Sequence, residues 1–241
     1  MKYYNRAFVD FLVSENSTPP LRPIRSFVRR EGRLTPGQQR AISTHWQAFG
    51  IDHPGGLLDF QALFGSDENV ELEIGCGDGG AMLEMSRQRP HHHFLGIEVY
   101  RPGVGKLLQG LVNAGQDNVR VFNADAVDVI DTRIPNQSLK RIMVFFPDPW
   151  PKKKHQKRRL LSDSFIELLI QKLKQGGELH IATDWQEYAE QVANILSHAT
   201  HLKSRSDTIY SARPQTRPLT KYERRGQRLG HGVWDIVMEK I

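Results

Sequence analysis

The chain has 241 residues, of which 39% are hydrophobic and 25% charged, with a formal net charge of +6. This length is sufficient for one sizeable core, and the basic balance favours a polyanionic partner such as nucleic acid. No apolar run approaches the roughly 18 residues of a membrane-spanning helix, so we expect no membrane protein. The single cysteine, Cys76, rules out an internal disulfide and is typical of a cytoplasmic protein.

The first 35 residues differ in composition from the rest of the chain. Pro19, Pro20 and Pro23 interrupt any helical period. The interspersed arginines are Arg22, Arg25, Arg29, Arg30 and Arg33. We interpret residues 1–35 as a basic, flexible arm and residues 36–241 as one α/β domain. The arginines suit phosphate contacts, although an ordinary disordered terminus explains them equally well.

The domain begins with a helix, predicted from a Thr35 cap and Pro36 to about Phe49. A buried strand follows at Val70–Ile74, then Gly75-Cys76-Gly77-Asp78-Gly79-Gly80 and a helix over 81–89. A strand, a glycine loop and a helix N-terminus together form a nucleotide-binding turn. The spacing fits both G-x-G-x-G and G-x-G-x-x-G, so the loop alone does not identify its ligand.

Two acids near this loop favour one cofactor. Glu73 lies two residues before Gly75 on an otherwise apolar strand end, where it would repel a pyrophosphate and attract a cation. S-adenosylmethionine carries an ammonium and a sulfonium, so the sequence favours it over NAD. Glu98 lies in the second predicted strand, Phe94–Val99, about 20 residues beyond the loop, the distance expected for an acid that binds ribose hydroxyls. We therefore predict a cofactor site that includes Glu73, Gly75, Gly77 and Glu98.

The next elements are a helix over 102–114 and a third strand, Val119–Phe122. Asp125 follows that strand and has two interpretations. Its carboxylate could accept from the exocyclic amine of adenine, or it could cap the short helix that begins at Ala126.

The fourth strand, residues 140–146, leads into Pro147-Asp148-Pro149-Trp150-Pro151 and then six Lys or Arg residues within positions 152–159. Because proline restricts its own backbone and that of the preceding residue, this segment holds an acid and an indole in few conformations. An acid, a flat aromatic and a cationic run suit a planar base on a phosphate chain. The alternative is a proline-rich loop before a solvated basic helix. Trp150 either stacks on a base or packs beneath the loop.

Helices are predicted over 160–173 and 186–199, and strands over 178–183, 202–207 and 233–239. Asp184 follows the fifth strand, where it either caps the next helix or contacts a base. Thr220 and Glu223 either form a capping box or belong to a lid over the ligand. We interpret His91-His92-His93 as an exposed turn and predict no metal site.

Seven predicted strands, with a glycine loop after the first and a proline-flanked acid after the fourth, resemble the class I S-adenosylmethionine-dependent methyltransferases. That resemblance implies an α/β Rossmann-like fold: a seven-stranded, mostly parallel sheet with helices on both faces and the last strand antiparallel. The finer motifs resemble those of the bacterial tRNA (guanine-N7-)-methyltransferases. They are Leu72-Glu73-Ile74-Gly75-Cys76-Gly77, Gly96-Ile97-Glu98, Asn123-Ala124-Asp125-Ala126, Phe146-Pro147-Asp148-Pro149-Trp150-Pro151-Lys152, His155-Gln156-Lys157-Arg158-Arg159, Ala182-Thr183-Asp184 and Thr220-Lys221-Tyr222-Glu223.

The resemblance implies methyl transfer from S-adenosylmethionine to N7 of a guanosine in the tRNA variable loop, by a cytoplasmic protein that we expect to be a monomer. The residues that would line the cofactor site are Glu73, Glu98, Asp125 and Asp148, and Asp148 would also be catalytic. Those that would contact the tRNA are Lys152, Asp184, Thr220, Lys221, Tyr222 and Glu223.

Guanine N7 carries no proton, so no strong base is needed before attack. The protein must hold N7 in line with the methyl group, and a nearby carboxylate favours the positive charge that develops on the purine. One of the two acids Asp148 and Asp184 would favour this charge, and the other would accept hydrogen bonds from the Watson–Crick edge of guanine. Either acid could take either role. The candidates for phosphate contacts are Lys152, Lys154, Arg158 and Arg159.

Three other functions are compatible with parts of the sequence. They are methylation of another nucleic-acid atom such as adenine N6, RNA binding without catalysis, and a nicotinamide dehydrogenase. Intact glycines and acids disfavour the second, and Glu73 disfavours the third.

Overall fold

The structure, a computed structural model, describes residues 26–27, 32–228, 230 and 232–241. The predicted arm, residues 1–35, lies mostly outside these ranges. The described strands form one sheet in the order β1-β4-β3-β2-β5-β6-β8-β7. Their bounds are β1 Gly50–Ile51, β2 Val70–Ile74, β3 His93–Ile97, β4 Val119–Phe122, β5 Leu139–Phe145, β6 Leu173–Thr183, β7 Leu202–Ser204 and β8 Trp234–Lys240.

The helices cover both faces of this sheet. Their bounds are α1 Pro36–Phe49, α2 Phe60–Phe64, α3 Gly80–Gln88, α4 Arg101–Ala114, α5 Ala126–Arg133, a 3-10 helix Lys153–Arg158, α6 Asp163–Lys172, α7 Gln186–Ser197 and α8 Lys221–Arg228. Among them, none combines the length and apolar character that crossing a bilayer requires.

The strand directions confirm the predicted fold class. β8 runs antiparallel to both β6 and β7, while the pairs formed by β1 to β6 are parallel. The prediction of seven strands missed β1, whose two residues pair with β4. A strand of two residues is too short to produce any periodic signal.

The largest error in a predicted boundary concerns β6. We expected a helix over 160–173 and a strand over 178–183, but α6 ends at Lys172 and the chain enters β6 directly at Leu173. The pairing of β6 with β5 shifts register between Leu139 and Arg141, so Gly176 and Gly177 lie inside an irregular strand.

The core divides between the two faces of the sheet, because successive side chains of a strand point to opposite sides. Leu72, Leu95 and Val144 belong to one buried cluster, and Phe94 and Met143 to the other. All five residues of β2 are buried, which places this strand at the centre of the sheet. The parallel strands therefore end at one edge, where ligands bind in open α/β sheets.

Candidate active site

The carboxyl ends of the parallel strands open onto a cleft of about 750 Å³. Its lining includes Glu98 after β3 and the segment Phe145–Asp148 after β5. A second cavity of about 780 Å³ shares Gly75, Gly77 and Phe146 with this cleft and extends to Glu73 and Thr220. The two adjoining cavities thus bring Glu73, Glu98, Asp148 and Thr220 to one region, at the carboxyl ends of the strands.

The glycine loop connects β2 to α3 in a tight turn. Gly75 and Gly77 have φ values of 75° and 59°, in the left-handed region where a side chain is strained. The N-terminus of α3 follows at Gly80, so its unpaired N–H groups lie beside the cleft. The predicted nucleotide-binding turn is therefore present in its local geometry.

Glu98 holds this loop against β3. One carboxylate oxygen accepts from the backbone N–H of Gly77 at 2.7 Å, and the other accepts from the N–H of Tyr100 at 2.7 Å. Burial raises the pKa of Glu98 in spite of these hydrogen bonds. The sequence predicted Glu98 as a cofactor residue but not this second task, because only the folded loop brings Gly77 to the carboxylate.

Glu73 is buried in the same region, with 3% of its surface exposed. Its Oε2 atom has no hydrogen-bond partner within the part of the chain that the structure describes. Burial, followed by the charge of Glu98, raises the pKa of Glu73 to about 8. A buried carboxyl group with an unused acceptor atom beside a glycine loop fits a cationic ligand group, which would stabilise the ionised form.

Asp148 lies on an exposed segment at the mouth of the cleft. Phe146 and Trp150, on either side of it, have φ values of 53° and 44°, which cost roughly 1–3 kcal/mol each for non-glycine residues. The backbone N–H of Phe146 donates to the carbonyl of Ala182 at 2.7 Å and anchors the segment to β6. The surrounding fold therefore imposes the conformation that presents Asp148.

Trp150 is half-buried and contacts other parts of its own chain, and stacking on a base stays a prediction. Its indole Nε1 donates to the carbonyl of Ser26 at 3.1 Å. The guanidinium carbon of Arg158 lies 5.2 Å from the ring centroid, and His155 contacts the ring edge-on at 5.8 Å. The indole is thus engaged by its own chain on several sides.

The basic run contains exposed cations, the half-buried Arg158 and the buried Arg159. Arg159 is buried, donates from Nε to the carbonyl of Pro149 at 2.8 Å and pairs with Glu187 at 3.2 Å. Its expected phosphate contact is wrong for this arrangement, because its guanidinium secures the proline-rich segment from inside. The exposed cations of the run are Lys152, Lys153, Lys154 and Lys157.

Asp184 does not cap α7. No side chain caps that helix, and the backbone N–H of Trp185 donates to the hydroxyl of Thr183 at 3.2 Å. Asp184 instead lines a cavity of about 400 Å³ together with Trp185 and Trp234. The capping interpretation is therefore wrong, and contact with a base stays a prediction.

Asp125 does cap a helix, since its carboxylate accepts from the backbone N–H of Val127 at 3.1 Å. Ala124 and Ala126, on either side of it, line the cleft. The capping interpretation is confirmed, and the adenine contact stays a prediction.

The final motif forms the start of α8. The hydroxyl of Thr220 accepts from the backbone N–H of Glu223 at 3.1 Å, which is half of a capping box. The carboxylate of Glu223 turns inward, is 2% exposed and pairs with Arg217. The side chains of Lys221 and Tyr222 lie outside the described part of the structure.

The histidine run lies away from this site. His92 makes a 2.6 Å contact with Glu71, and His93 stacks on Phe64 with 4.8 Å between the ring centroids. In the ranges that the structure covers, no three His, Cys, Asp or Glu side chains are grouped to hold a metal ion.

Solved structures with the same fold include KamB and TrmN. The 16S rRNA methyltransferase KamB matches with a TM-score of 0.57 and 16% identity, over 80% of this chain and 98% of its own. TrmN from Thermus thermophilus matches with a TM-score of 0.51 and 16% identity, over 75% of this chain and 48% of its own. At this identity the similarity establishes the fold alone.

A family described as "Putative methyltransferase" matches residues 67–236. Proteins from Shewanella amazonensis and Pseudomonas aeruginosa are 49% and 47% identical to this chain, over 92% and 95% of it and 93% and 95% of their own lengths. A protein from Salmonella typhimurium is 48% identical over 92% of this chain and 93% of its own. All three are named tRNA (guanine-N(7)-)-methyltransferase. The chain therefore belongs to the tRNA (guanine-N(7)-)-methyltransferase family.

Proposed function

We propose that this protein transfers the methyl group of S-adenosylmethionine to N7 of a guanosine in the variable loop of tRNA. The observation that carries this proposal is the placement of Asp148, whose exposed carboxylate lies at the mouth of the cleft that the glycine loop and Glu98 line. The names of the relatives, 47–49% identical over more than nine tenths of the chain, support the same activity.

The residues present fit the proposed cofactor. The unpartnered oxygen of Glu73 suits the ammonium group, and Glu98 suits the ribose hydroxyls, since each carboxylate oxygen can accept more than one hydrogen bond. Asp125 would accept from the adenine amine. When bound, S-adenosylmethionine supplies a methyl group activated by a cationic sulfonium.

The protein's own contribution is to orient the guanine and to stabilise charge. N7 attacks through a free lone pair, so no side chain needs to remove a proton first. As the purine becomes positively charged, the Asp148 carboxylate favours that charge more than it favoured the neutral base. Asp184, on the neighbouring strand end, would accept from the Watson–Crick edge, or the two acids exchange these tasks.

The exposed lysines beside Asp148 would contact the RNA backbone. Lys152 precedes the 3-10 helix, and Lys154 and Lys157 lie within it, all exposed to solvent. Lysines on one short element next to a base-binding acid can fix the register of an RNA without reading its sequence. We propose tRNA as the partner, and a monomeric protein acting in the cytoplasm.

Replacing Lys152, Lys154 and Lys157 together by Gln should weaken tRNA binding and flatten its salt dependence. Each lost phosphate contact removes about 0.7–0.9 from the slope of log K against log salt, so three contacts remove about 2–3. Filter binding between 50 and 200 mM salt measures this slope. A matched triple, Lys140, Lys174 and Lys203 to Gln, changes lysines at the opposite edge of the sheet and should leave the slope as it was. Equal slopes for the two triples would show that the basic run faces away from the RNA.

The activity itself is tested with labelled S-adenosylmethionine and tRNA that lacks N7-methylguanosine, followed by borohydride and aniline scission. Scission at one guanosine of the variable loop supports the proposal, because only the N7-methylated base is cleaved. Label without scission indicates another atom, such as adenine N6. Absence of label with tight tRNA binding indicates RNA binding without catalysis. Fully modified tRNA is the matched substrate control and should accept little label.

A further inference from the structure

Arg217 lies in the interior between β8 and α8, with 0% of its surface exposed. Its Nε and Nη2 atoms donate to the two carboxylate oxygens of Asp235 at 2.7 and 2.8 Å. The guanidinium also donates to both oxygens of Glu223, with Nη2 to Oε1 at 3.2 Å. One arginine thus bridges two carboxylates, each through two hydrogen bonds.

This arrangement is buried and places one cation against two carboxylates. His180, also buried, contacts Asp235 through Nε2 at 2.8 Å and shares its negative charge. Desolvating charged groups is expensive unless geometry and hydrogen bonding are good, and the planar fork of arginine meets that condition. Lysine, a point charge, could not span both carboxylates in the same way.

The bridge joins two walls of the active site. Asp235 pairs with Ala182 in the sheet, which makes that end rigid, whereas Glu223 lies in the first turn of α8. The guanidinium carbon also lies 5.9 Å from the ring centroid of Phe145 and 5.7 Å from that of Phe146. These aromatic residues directly precede the Pro147-Asp148 segment.

The two walls face each other across one cavity. Thr220 at the start of α8, Phe146 and Glu73 all line it. A movement of α8 away from the sheet would widen the cavity on the side of Glu73. The same movement would release the contact that supports the strained backbone of Phe146. Arg217, which lies outside the lining of this cavity, thus connects its two walls.

We propose that Arg217 is a positioning residue for methyl transfer: it fixes α8 against the sheet and supports Phe146, so that Thr220 and Asp148 keep their places around the reacting atoms. It acts through Glu223 and the two aromatic rings and touches neither cofactor nor RNA. The catalytic part of this inference rests on the proposed function, whereas the structural part does not.

Arg217→Lys tests the inference. We expect kcat to fall about 10- to 100-fold, as small displacements of reacting groups do, while KM for each substrate stays within about threefold. Hydrogen exchange should accelerate in the backbone of 220–228 and stay unchanged in β2 and β3. Arg133→Lys is the matched control: Arg133 is also buried, but its Nε donates to the carbonyl of Gly56 at 2.5 Å and its guanidinium lies over Phe122 of β4, at the other end of the strand order from β8. Arg133→Lys should reduce Tm, but it should not lower kcat in the way that Arg217→Lys does.

A double substitution that leaves no buried charge newly unpaired distinguishes loss of positioning from simple unfolding. Arg217→Met with Glu223→Gln removes one charge of each sign and leaves Asp235 paired with His180. Compared with Glu223→Gln alone, this double variant should show faster exchange in α8 and a lower kcat. Identical exchange and kcat would overturn the inference.

The remaining outcomes separate this inference from the proposed function. A kcat of Arg217→Lys within twofold of the wild type, a fall matched by Arg133→Lys, or a fall with unchanged exchange in α8 would each overturn the positioning role. Failure of the wild type to methylate tRNA would overturn the proposed function. Exchange in α8 would still report whether Arg217 holds the helix.

Discussion

Asp148→Ala is expected to lower kcat for methylation of tRNA by about 10²–10³-fold, the range found when one group aimed at developing charge is removed. The carboxylate is exposed and lies after the end of β5, so its loss leaves no buried partner unpaired. The fold and Tm should therefore change little. The rate constant of methyl transfer is measured under single-turnover conditions with saturating cofactor, where the chemical step is observed directly.

Asp148→Asn divides this effect into charge and hydrogen bonding. If Asp148 stabilises the charge on the purine, Asn should be nearly as inactive as Ala. If it accepts from the Watson–Crick edge, Asn keeps one acceptor and should be intermediate, and Asp184→Asn should then show the larger loss. Asp117→Asn, at an exposed site before β4 on the opposite edge, is the control and should be fully active. Near-normal turnover in Asp148→Ala would remove this residue from the mechanism.

The fold was predictable because its parallel strands are short segments rich in apolar residues, and each segment ends at a recognisable turn. The errors fall where the local signal conflicts with tertiary pairing. Gly176 and Gly177 indicate the end of a helix, but the neighbouring β5 recruits this stretch into β6. β1 exists only because β4 offers it an edge. Neither partner can be identified from local sequence.

The acids of the site were predictable from their positions at strand ends, whereas the buried cations were not. Arginine is usually exposed, so the sequence predicts that Arg159, within a basic run, and Arg217, within a loop, are exposed to solvent. Their burial depends on carboxylates supplied from elsewhere, such as Asp235 on β8. Glu223 shows the same limit, because a capping box accounted for it locally and its actual partner does not follow from that motif.

Glu73 links the stability of the unliganded protein to pH. With its pKa raised to about 8 by burial, the folded protein keeps a proton on this group that the unfolded chain releases above about 4.5. The free energy of unfolding should therefore decline as pH rises from about 4.5 to 8, by up to about 1.4 kcal/mol per pH unit. Glu73→Gln should remove this decline and be the more stable protein at pH 8, as urea unfolding at several pH values would show. Parallel curves for the two proteins would contradict the raised pKa.

The same carboxyl group should couple cofactor binding to proton release. A cationic ligand beside Glu73 favours its ionised form, so binding at pH 7 should release close to one proton, and affinity should rise with pH up to about 8. Calorimetry in buffers of different ionisation enthalpy measures the released protons. S-adenosylhomocysteine serves as the ligand, and its own ammonium titrates equally in every variant. Glu73→Gln should abolish the release and weaken binding about 10- to 100-fold, since a buried charge pair is lost. Glu68→Gln, at an exposed site before β2, should behave as the wild type. Equal proton release from Glu73→Gln and the wild type would place the cation of the ligand away from this carboxylate.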